Sequence, residues 1–236
     1  MTRPELRLRS SILRANIVAV RERVSPSALM IVLKDDAYGH GLAWAVENAL
    51  RVGVDWFGSY DIRGGIVTRQ LVGGEARIFA WATSTDTEID DALLQDIDLG
   101  VGTVEYLRRI VARASVLGAR ARVHLKIDTG LHRNGVLAED WASAIAETRA
   151  AEQAGLVELV GVWSHIAEAS DAEDDEAQAI FLDAVRVAEQ SGTAPSALHL
   201  TASAASWWRP ELRARSRGSA PSVTASALPR GPTSTA

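Results

Sequence analysis

Short apolar runs that alternate with helix-like segments constrain the fold of this chain most strongly. The intervening segments carry apolar residues at helical spacing, and several of them end in glycine, as helices often do. Strands that alternate with helices are typical of repeated βαβ units, which build a parallel sheet. The apolar runs occupy residues 28–34, 54–60, 76–82, 98–101, 121–127, 156–165 and 197–200.

The number and continuity of these units favour a (β/α) barrel over a doubly wound sheet. Runs that are apolar throughout are typical of strands that are covered on both faces. A dinucleotide-binding sheet is less favoured, because no Gly-x-Gly-x-x-Gly pattern follows the first run. Residues 10–24 add an amphipathic helix ahead of the first strand. We therefore predict an α/β fold, a TIM-type barrel.

The alternating pattern stops after residue 209. Residues 210–236 consist mainly of Ser, Ala, Pro, Thr and Arg, and such a segment buries too little apolar surface to offset its ordering entropy. We predict a barrel over residues 1–209 that is incomplete at strand eight, and a disordered or aberrant tail over 210–236. A frameshift would also change the composition abruptly, and translation of the other reading frames of the coding DNA tests that hypothesis.

Composition excludes several classes of function. The chain has 236 residues, no cysteine and a net charge of -5. The absence of cysteine excludes disulfides and thiolate metal sites, and the acidic balance argues against a nucleic-acid partner. No run is long and apolar enough to span a bilayer, and the N-terminus lacks the apolar core of a signal peptide. We expect a cytoplasmic protein.

Polar side chains follow several predicted strands at the point where each strand ends. These ends share one rim of a parallel barrel, where active sites lie. Singly, each residue has a structural explanation as a solvated strand end, a helix cap or a hydrogen-bonded core histidine. Their coincidence at one rim instead predicts a site. The residues are Lys34, Tyr38 and His40; Lys126, Asp128, Thr129, His132 and Arg133; Ser164 and His165; and His199, Thr201 and Ser203.

Lys34 has the most distinctive chemistry in this set. An amine in a partly desolvated pocket can attack a carbonyl group to form an imine. Imine chemistry fits either an aldolase-type enzyme or a pyridoxal 5'-phosphate (PLP) enzyme, and the residue types leave both open. Ser203 at a helix start is placed for a phosphate, and Arg133 offers a fork suited to a carboxylate or phenolate oxygen.

Four segments resemble signatures of the alanine racemase family. The segment "LKDDAYGHG" resembles the one that carries the family's cofactor lysine, and "KIDTGLHRNG" resembles its Lys-x-Asp-Thr-Gly-Met-x-Arg-x-Gly signature. Two shorter segments, "WSHIAEASD" and "HLTASAA", also resemble family segments. Their order and spacing match over roughly residues 10–209, which makes the resemblance far more specific than a lone glycine motif.

The resemblance implies the PLP-binding barrel of fold type III and the interconversion of L- and D-alanine, which supplies D-alanine for cell-wall peptidoglycan. Lys34 would then be the Schiff-base lysine and a base at the substrate Cα. Tyr38 and Ser203 would hold the phosphate, and His165 would lie against the pyridine ring. Arg133 would contact the phenolic oxygen of the cofactor and the carboxylate of the substrate.

Two further residues receive supporting roles from the resemblance. Lys126 would support Arg133, and the equivalent lysine is carbamylated in some family members. His199 would be the partner of an arginine on strand eight. Family members form homodimers, in which a tyrosine of a C-terminal β domain acts from the opposite face of the substrate.

The chain also departs from the family pattern. Asp35 replaces a small residue, which we expect to be tolerated, and Ala202 replaces an asparagine near the phosphate. Strand eight and the C-terminal β domain are not recognisable, so we expect impaired activity, and a homodimer is in question. A non-catalytic PLP-binding barrel and a chain that does not fold stably remain open alternatives. Serine or another small amino acid is an open alternative to alanine as the substrate.

Overall fold

The strands form a single parallel sheet. The computed structural model describes residues 6–200 and 203–210, together with the backbone of residues 223–227. The order across the sheet is β7-β6-β5-β4-β3-β2-β1-β8, and every neighbouring pair is parallel. The strands are β1 (Ala28–Val32), β2 (Trp56–Ser59), β3 (Arg77–Ala80), β4 (Asp98–Val101), β5 (Ala121–Lys126), β6 (Val157–Trp163), β7 (Ala197–His199) and β8 (Val223–Ala227).

Helices connect the strands and cover the outside of the curled sheet. Buried apolar residues of the helices pack against outward-facing apolar residues of the strands in two large clusters. The helices are α1 (Ser10–Val24), α2 (Lys34–Gly39), α3 (Leu42–Leu50), α4 (Ile62–Val72), α5 (Asp86–Leu94), α6 (Val104–Leu117), α7 (Trp141–Gln153), α8 (Asp171–Gln190) and α9 (Ser203–Trp208), with a 3₁₀ turn at Ala138–Asp140. No helix in these described segments is long and apolar enough to cross a membrane.

Local sequence signals set the starts of several helices. Thr85 and Glu88 form a reciprocal capping box at α5, because each side chain accepts a hydrogen bond from the backbone N–H of the other residue. Thr103 and Ser170 cap α6 and α8 by accepting backbone N–H groups of the first turn. Gly118 ends α6 in the left-handed conformation that glycine adopts without steric cost. These caps place the helix starts after the C-terminal ends of the strands.

The barrel is incomplete, as the sequence predicts, because no pairing joins β7 to β8 within the described part of the chain. The structure differs from the sequence analysis in one respect. A strand does follow residue 209: β8 pairs with β1 from Ala28↔Val223 to Val32↔Ala227. The segment "VTASA" shows little apolar pattern, so its pairing depends on the free edge that β1 offers to its backbone. The expectation for the rest of residues 210–236 lies outside the described residues.

The inside of the barrel is packed with aromatic side chains. Met30, Trp56, Phe79 and Trp163 form one buried cluster with Ala197, and none of the five is more than 4% exposed. A filled interior leaves room for a ligand only at one end of the strands. The cavity described next opens at the C-terminal end.

Candidate functional site

A cavity of ≈ 260 Å³ lies at the C-terminal ends of β1, β6 and β7. Phe79, Trp81 and Trp163 supply aromatic surface to its wall. Six of the seven residues to which we assigned roles line it, although they come from four separate parts of the sequence. They are Lys34, Tyr38, Arg133, His165, His199 and Ser203. The roles themselves remain predictions.

A left-handed turn of the backbone directly follows Lys34 at the end of β1. The four residues from Asp35 to Tyr38 all have φ between 52° and 58°. Each such residue costs about 1–2 kcal/mol relative to the right-handed form, so the surrounding structure must hold the turn. The hydrogen bonds that hold it run from the Ala37 N–H to Leu33 O, and from the Gly41 N–H to Asp36 O. Strain of this kind is typical of functional sites.

The left-handed turn brings Tyr38 beside Lys34. The Lys34 Nζ lies 5.7 Å from the centroid of the Tyr38 ring. Burial raises the pKa of Tyr38, and the charge of Asp35 raises it further, so the hydroxyl stays protonated as a hydrogen-bond donor. Asp35 itself is exposed and does not line the cavity. His40 donates from Nδ1 to Ala37 O at 2.8 Å and so supports the turn from outside the cavity.

His165 is a neutral imidazole with an unused nitrogen. Its Nδ1 is buried and has no hydrogen-bond partner among the described residues. Burial, together with the charges of Lys126, Arg133 and Lys34, lowers its pKa to about 3. The ring is therefore uncharged at neutral pH and lies 5.1 Å from the Trp163 ring. A buried polar atom without a partner in this position is suited to a ligand group.

The charged side chains among the described residues of the cavity are all positive. Lys34 and Arg133 line it, and Lys126 lies behind Trp163, with its Nζ 4.9 Å from the ring centroid. No Asp or Glu is among the described residues of the cavity wall, and Arg133 makes no ion pair or hydrogen bond within them. A cluster of cations without an acid among the described residues of the wall favours an anionic ligand such as a phosphate or carboxylate.

Lys126 is buried and bonded to a residue that the sequence analysis overlooked. Its side chain is 2% exposed, and its Nζ donates to Asn134 Oδ1 at 2.6 Å. Burial, and then the charge of Arg133, lowers its pKa to about 8. Asn134 is the neighbour of Arg133 within the "HRNG" segment, so its place in that motif is the signal that could have identified it.

The other candidates of this segment hold the loop that presents Arg133. Asp128 accepts hydrogen bonds from the Gly130 N–H and from the backbone and ring of His132, all at 3.0–3.1 Å. The Thr129 and Ser164 hydroxyl oxygens lie 2.9 Å apart and join this loop to the end of β6. These contacts are structural, and of the residues that make them only Ser164 lines the cavity.

Ser203 lines the cavity at the start of α9. Two residues further on, the Ala205 N–H donates to Glu168 Oε1 at 2.7 Å. The preceding residues, Thr201 and Ala202, lie outside the described residues, so the replacement of asparagine by Ala202 has no structural account.

The fold and the cavity define a class: an α/β-barrel domain that presents a lysine from its first strand to a cationic, partly aromatic mouth. Comparison with known proteins gives the family. Residues 9–217 match the family described as alanine racemase, N-terminal domain, and the chain belongs to that family.

Individual relatives agree with this assignment. The chain is 38% identical over 192 residues to an alanine racemase of Beutenbergia cavernae, which covers 80% of this chain and 50% of that protein. It is 34% identical over 212 residues to one of Thermobifida fusca, covering 89% and 56%. The chain thus spans about half the length of the curated relatives it matches.

Solved structures show the same fold. The alanine racemase of Streptomyces lavendulae superposes with a TM-score of 0.84 at 32% identity, covering 93% of this chain and 56% of that one. The alanine racemase of Streptomyces coelicolor A3(2) superposes with a TM-score of 0.86 at 29% identity, covering 93% and 57%. The resemblance seen in the sequence motifs is therefore confirmed at the level of the family and of the barrel.

Proposed function

We propose that this chain binds PLP in the cavity and carries the Lys34 half of an amino-acid racemase that interconverts L- and D-alanine. The cavity carries the proposal, because it brings together Lys34, Tyr38, Arg133, His165 and Ser203. Family membership supports alanine as the substrate, and serine or another small amino acid is the alternative. Activity, substrate and assembly of the whole enzyme are parts of this proposal.

The residues present fit PLP. The unpartnered Nδ1 of His165 and the neighbouring Trp163 ring suit a planar heteroaromatic group. The surrounding positive charges suit a phosphate, for which Tyr38 and Ser203 supply hydroxyl donors. Lys34 supplies the primary amine that reacts with an aldehyde.

Once bound, PLP would supply a conjugated ring that accepts electron density and so acidifies the substrate Cα–H. The Lys34 amine would remove or return the proton at Cα on its own side. Arg133 would bind the substrate carboxylate and hold the Cα–H towards Lys34. His165, being neutral at pH 7, would add no positive charge against the ring.

Racemisation requires a second proton-transfer group on the opposite face of Cα. By resemblance, a tyrosine of a C-terminal domain has that role in the family. Tyr38 is assigned to the phosphate in this proposal, so it does not supply the second group. We therefore expect the described residues to support exchange of the Cα proton from the Lys34 side. Full interconversion of the two enantiomers is the stronger form of the proposal.

Trapping with borohydride tests the assignment of Lys34 directly. The chain contains only two lysines, Lys34 and Lys126. Reduction in the presence of PLP, followed by peptide mass spectrometry, should place the adduct on Lys34, because Lys126 is 2% exposed and bonded to Asn134. Lys34→Arg keeps the charge but removes the primary amine, and it should abolish the adduct. Lys126→Arg is the matched control and should retain it. An adduct on Lys126, or one that survives in Lys34→Arg, contradicts the proposal.

Two activity measurements separate the catalytic proposal from simple cofactor binding. A coupled D-alanine assay reports interconversion, and NMR of L-alanine in D₂O reports exchange at Cα. Exchange that depends on Lys34 supports the proposal even where interconversion is absent. Trapping at Lys34 without any exchange would instead assign the chain to non-catalytic PLP-binding barrels.

Location and assembly complete the proposal. We infer a cytoplasmic location, which the lack of cysteine supports, and cell fractionation tests it. Homodimer formation is a family property by resemblance, and light scattering on the purified chain tests it.

A further inference from the structure

A series of buried polar side chains, here called the relay, crosses the barrel interior and ends at the cavity. Asp98 begins β4, His124 lies within β5, and His199 ends β7. The His124 Nε2 lies 3.3 Å from Asp98 Oδ2, and the His124 Nδ1 lies 2.9 Å from His199 Nε2. Asp98 and His124 are fully buried, and His199 is 4% exposed. Only His199 reaches the cavity wall.

The backbone around His124 is shaped to admit its ring. The register between β5 and β6 shifts between Val123 and His124, so that Val123 faces Leu159 while His124 faces Gly161. A Cβ on Gly161 would lie 2.2 Å from the His124 Nδ1, which is too close for any side chain. A bulge and a glycine at the same point indicate that the ring's position is built into the sheet.

Side chains that contact Asp98 determine its charge. The Arg122 Nε donates to Asp98 Oδ1, and the guanidinium of Arg77 lies 3.8 Å from Oδ2. Burial alone would raise the pKa of Asp98, but the hydrogen bonds from His124 and Arg122 and the charge of Arg122 outweigh it and lower the pKa. Asp98 is thus a carboxylate that can only accept hydrogen bonds.

The Asp98 carboxylate at one end of the relay determines which ring nitrogens carry protons. Burial lowers the pKa of both histidines, so each ring carries one proton. His124 must place that proton on Nε2 to donate to Asp98, which leaves its Nδ1 as an acceptor. His199 must then place its proton on Nε2 to donate to His124, and its Nδ1 is left unprotonated.

We propose that Asp98 and His124 are positioning residues that fix His199 in a single tautomer, with an unprotonated Nδ1 available to the cavity. The aromatic neighbours support this arrangement: His199 stacks on Trp163 at 14°, and Phe79 packs edge-on at 81°, so the ring cannot rotate freely. An acceptor at this point of the wall selects a donor such as a guanidinium, ammonium or hydroxyl. It disfavours an anion there, which directs a phosphate to another part of the cavity.

Nitrogen NMR of the histidine rings tests this inference without any cofactor. The chain has five histidines, so two-bond ¹H–¹⁵N spectra of the full chain can be assigned by substitution. We expect His124 and His199 both in the Nε2–H form at neutral pH. We also expect a scalar coupling across the hydrogen bond between His199 Nε2 and His124 Nδ1. An Nδ1–H or doubly protonated His199 in the wild-type chain overturns the inference.

Substitution separates positioning from a merely structural role. His124→Leu keeps a similar volume but removes the acceptor, so His199 should become a mixture of both tautomers. Asp91→Asn, at an exposed acid on α5, is the control and should leave the His199 signals unchanged. A folded His124→Leu chain in which His199 remains purely Nε2–H refutes the relay. Should that variant not fold, the coupling in the wild-type chain still decides the question, because its absence contradicts the proposed hydrogen bond.

Discussion

Substitution of Gly161 by alanine should destabilise the chain through a single named contact. The new Cβ would lie 2.2 Å from the His124 Nδ1 and 3.0 Å from two ring carbons, whereas ordinary contacts begin above 3.4 Å. The ring must therefore move by more than 1 Å, which disturbs its hydrogen bonds to His199 and Asp98. The backbone at this point cannot yield easily, because the same strand pairs with β5 and β7.

The expected loss in the free energy of unfolding is the sum of two contributions. Overpacking of a well-filled core costs about 1–3 kcal/mol. Loss of a buried hydrogen bond to a charged group, here Asp98, adds about 1.5–3 kcal/mol. The sum is about 2.5–6 kcal/mol, a large part of the roughly 5–15 kcal/mol by which domains are stable. For a chain of this size, the melting temperature should fall by about 10 °C.

Urea and thermal unfolding followed by circular dichroism measure this loss. Gly74→Ala is the matched control, because Gly74 is exposed and a Cβ there meets nothing within 4 Å. A double-mutant cycle with His124→Ala identifies the cause, since Gly161→Ala should cost little once the ring is gone. If Gly161→Ala is as stable as Gly74→Ala, or if its cost persists without the His124 ring, the contact is not the reason.

Three further outcomes are expected. Lys34→Ala should remove the visible absorbance of lysine-bound PLP, while its melting temperature without PLP stays near that of wild type; a retained band would contradict the role of Lys34. Stability should fall as the pH drops from about 6.5 towards 4, because the pKa of His165 is about 3 in the folded chain and 6.5 when unfolded, so the unfolded state binds more protons. The slope from this group is at most about 1.4 kcal/mol per pH unit, and His165→Gln should flatten it in urea titrations at several pH values. Asn134→Ala should cost about 1–3 kcal/mol, since it leaves the Lys126 amine buried without its acceptor, whereas Asn134→Asp should recover stability.

Much of the fold was predictable because the signals are local. The helix predicted over 10–24 is observed as Ser10–Val24, and each of the seven apolar runs contains one of the strands β1 to β7. Strand β8 was not predictable, because "VTASA" has no pattern of its own and pairs only where β1 leaves a free edge. The left-handed turn after Lys34 was equally invisible, since Asp35 and Tyr38 do not require a positive φ.

The sequence by itself determined which residues stand at the ends of strands, and hence that Lys34, Arg133, His165 and Ser203 could share one rim. Spacing and motif suffice for this, because the C-terminal ends of parallel strands always meet at one edge. Only the tertiary structure decided which buried polar side chains contact one another. Asp98 and His199 are 101 residues apart in sequence, and only the curl of the sheet brings both within reach of His124. Burial lowers the pKa of both histidines and keeps them neutral, and their hydrogen bonds to each other and to Asp98 then set the proton positions. No pattern along the sequence records these contacts.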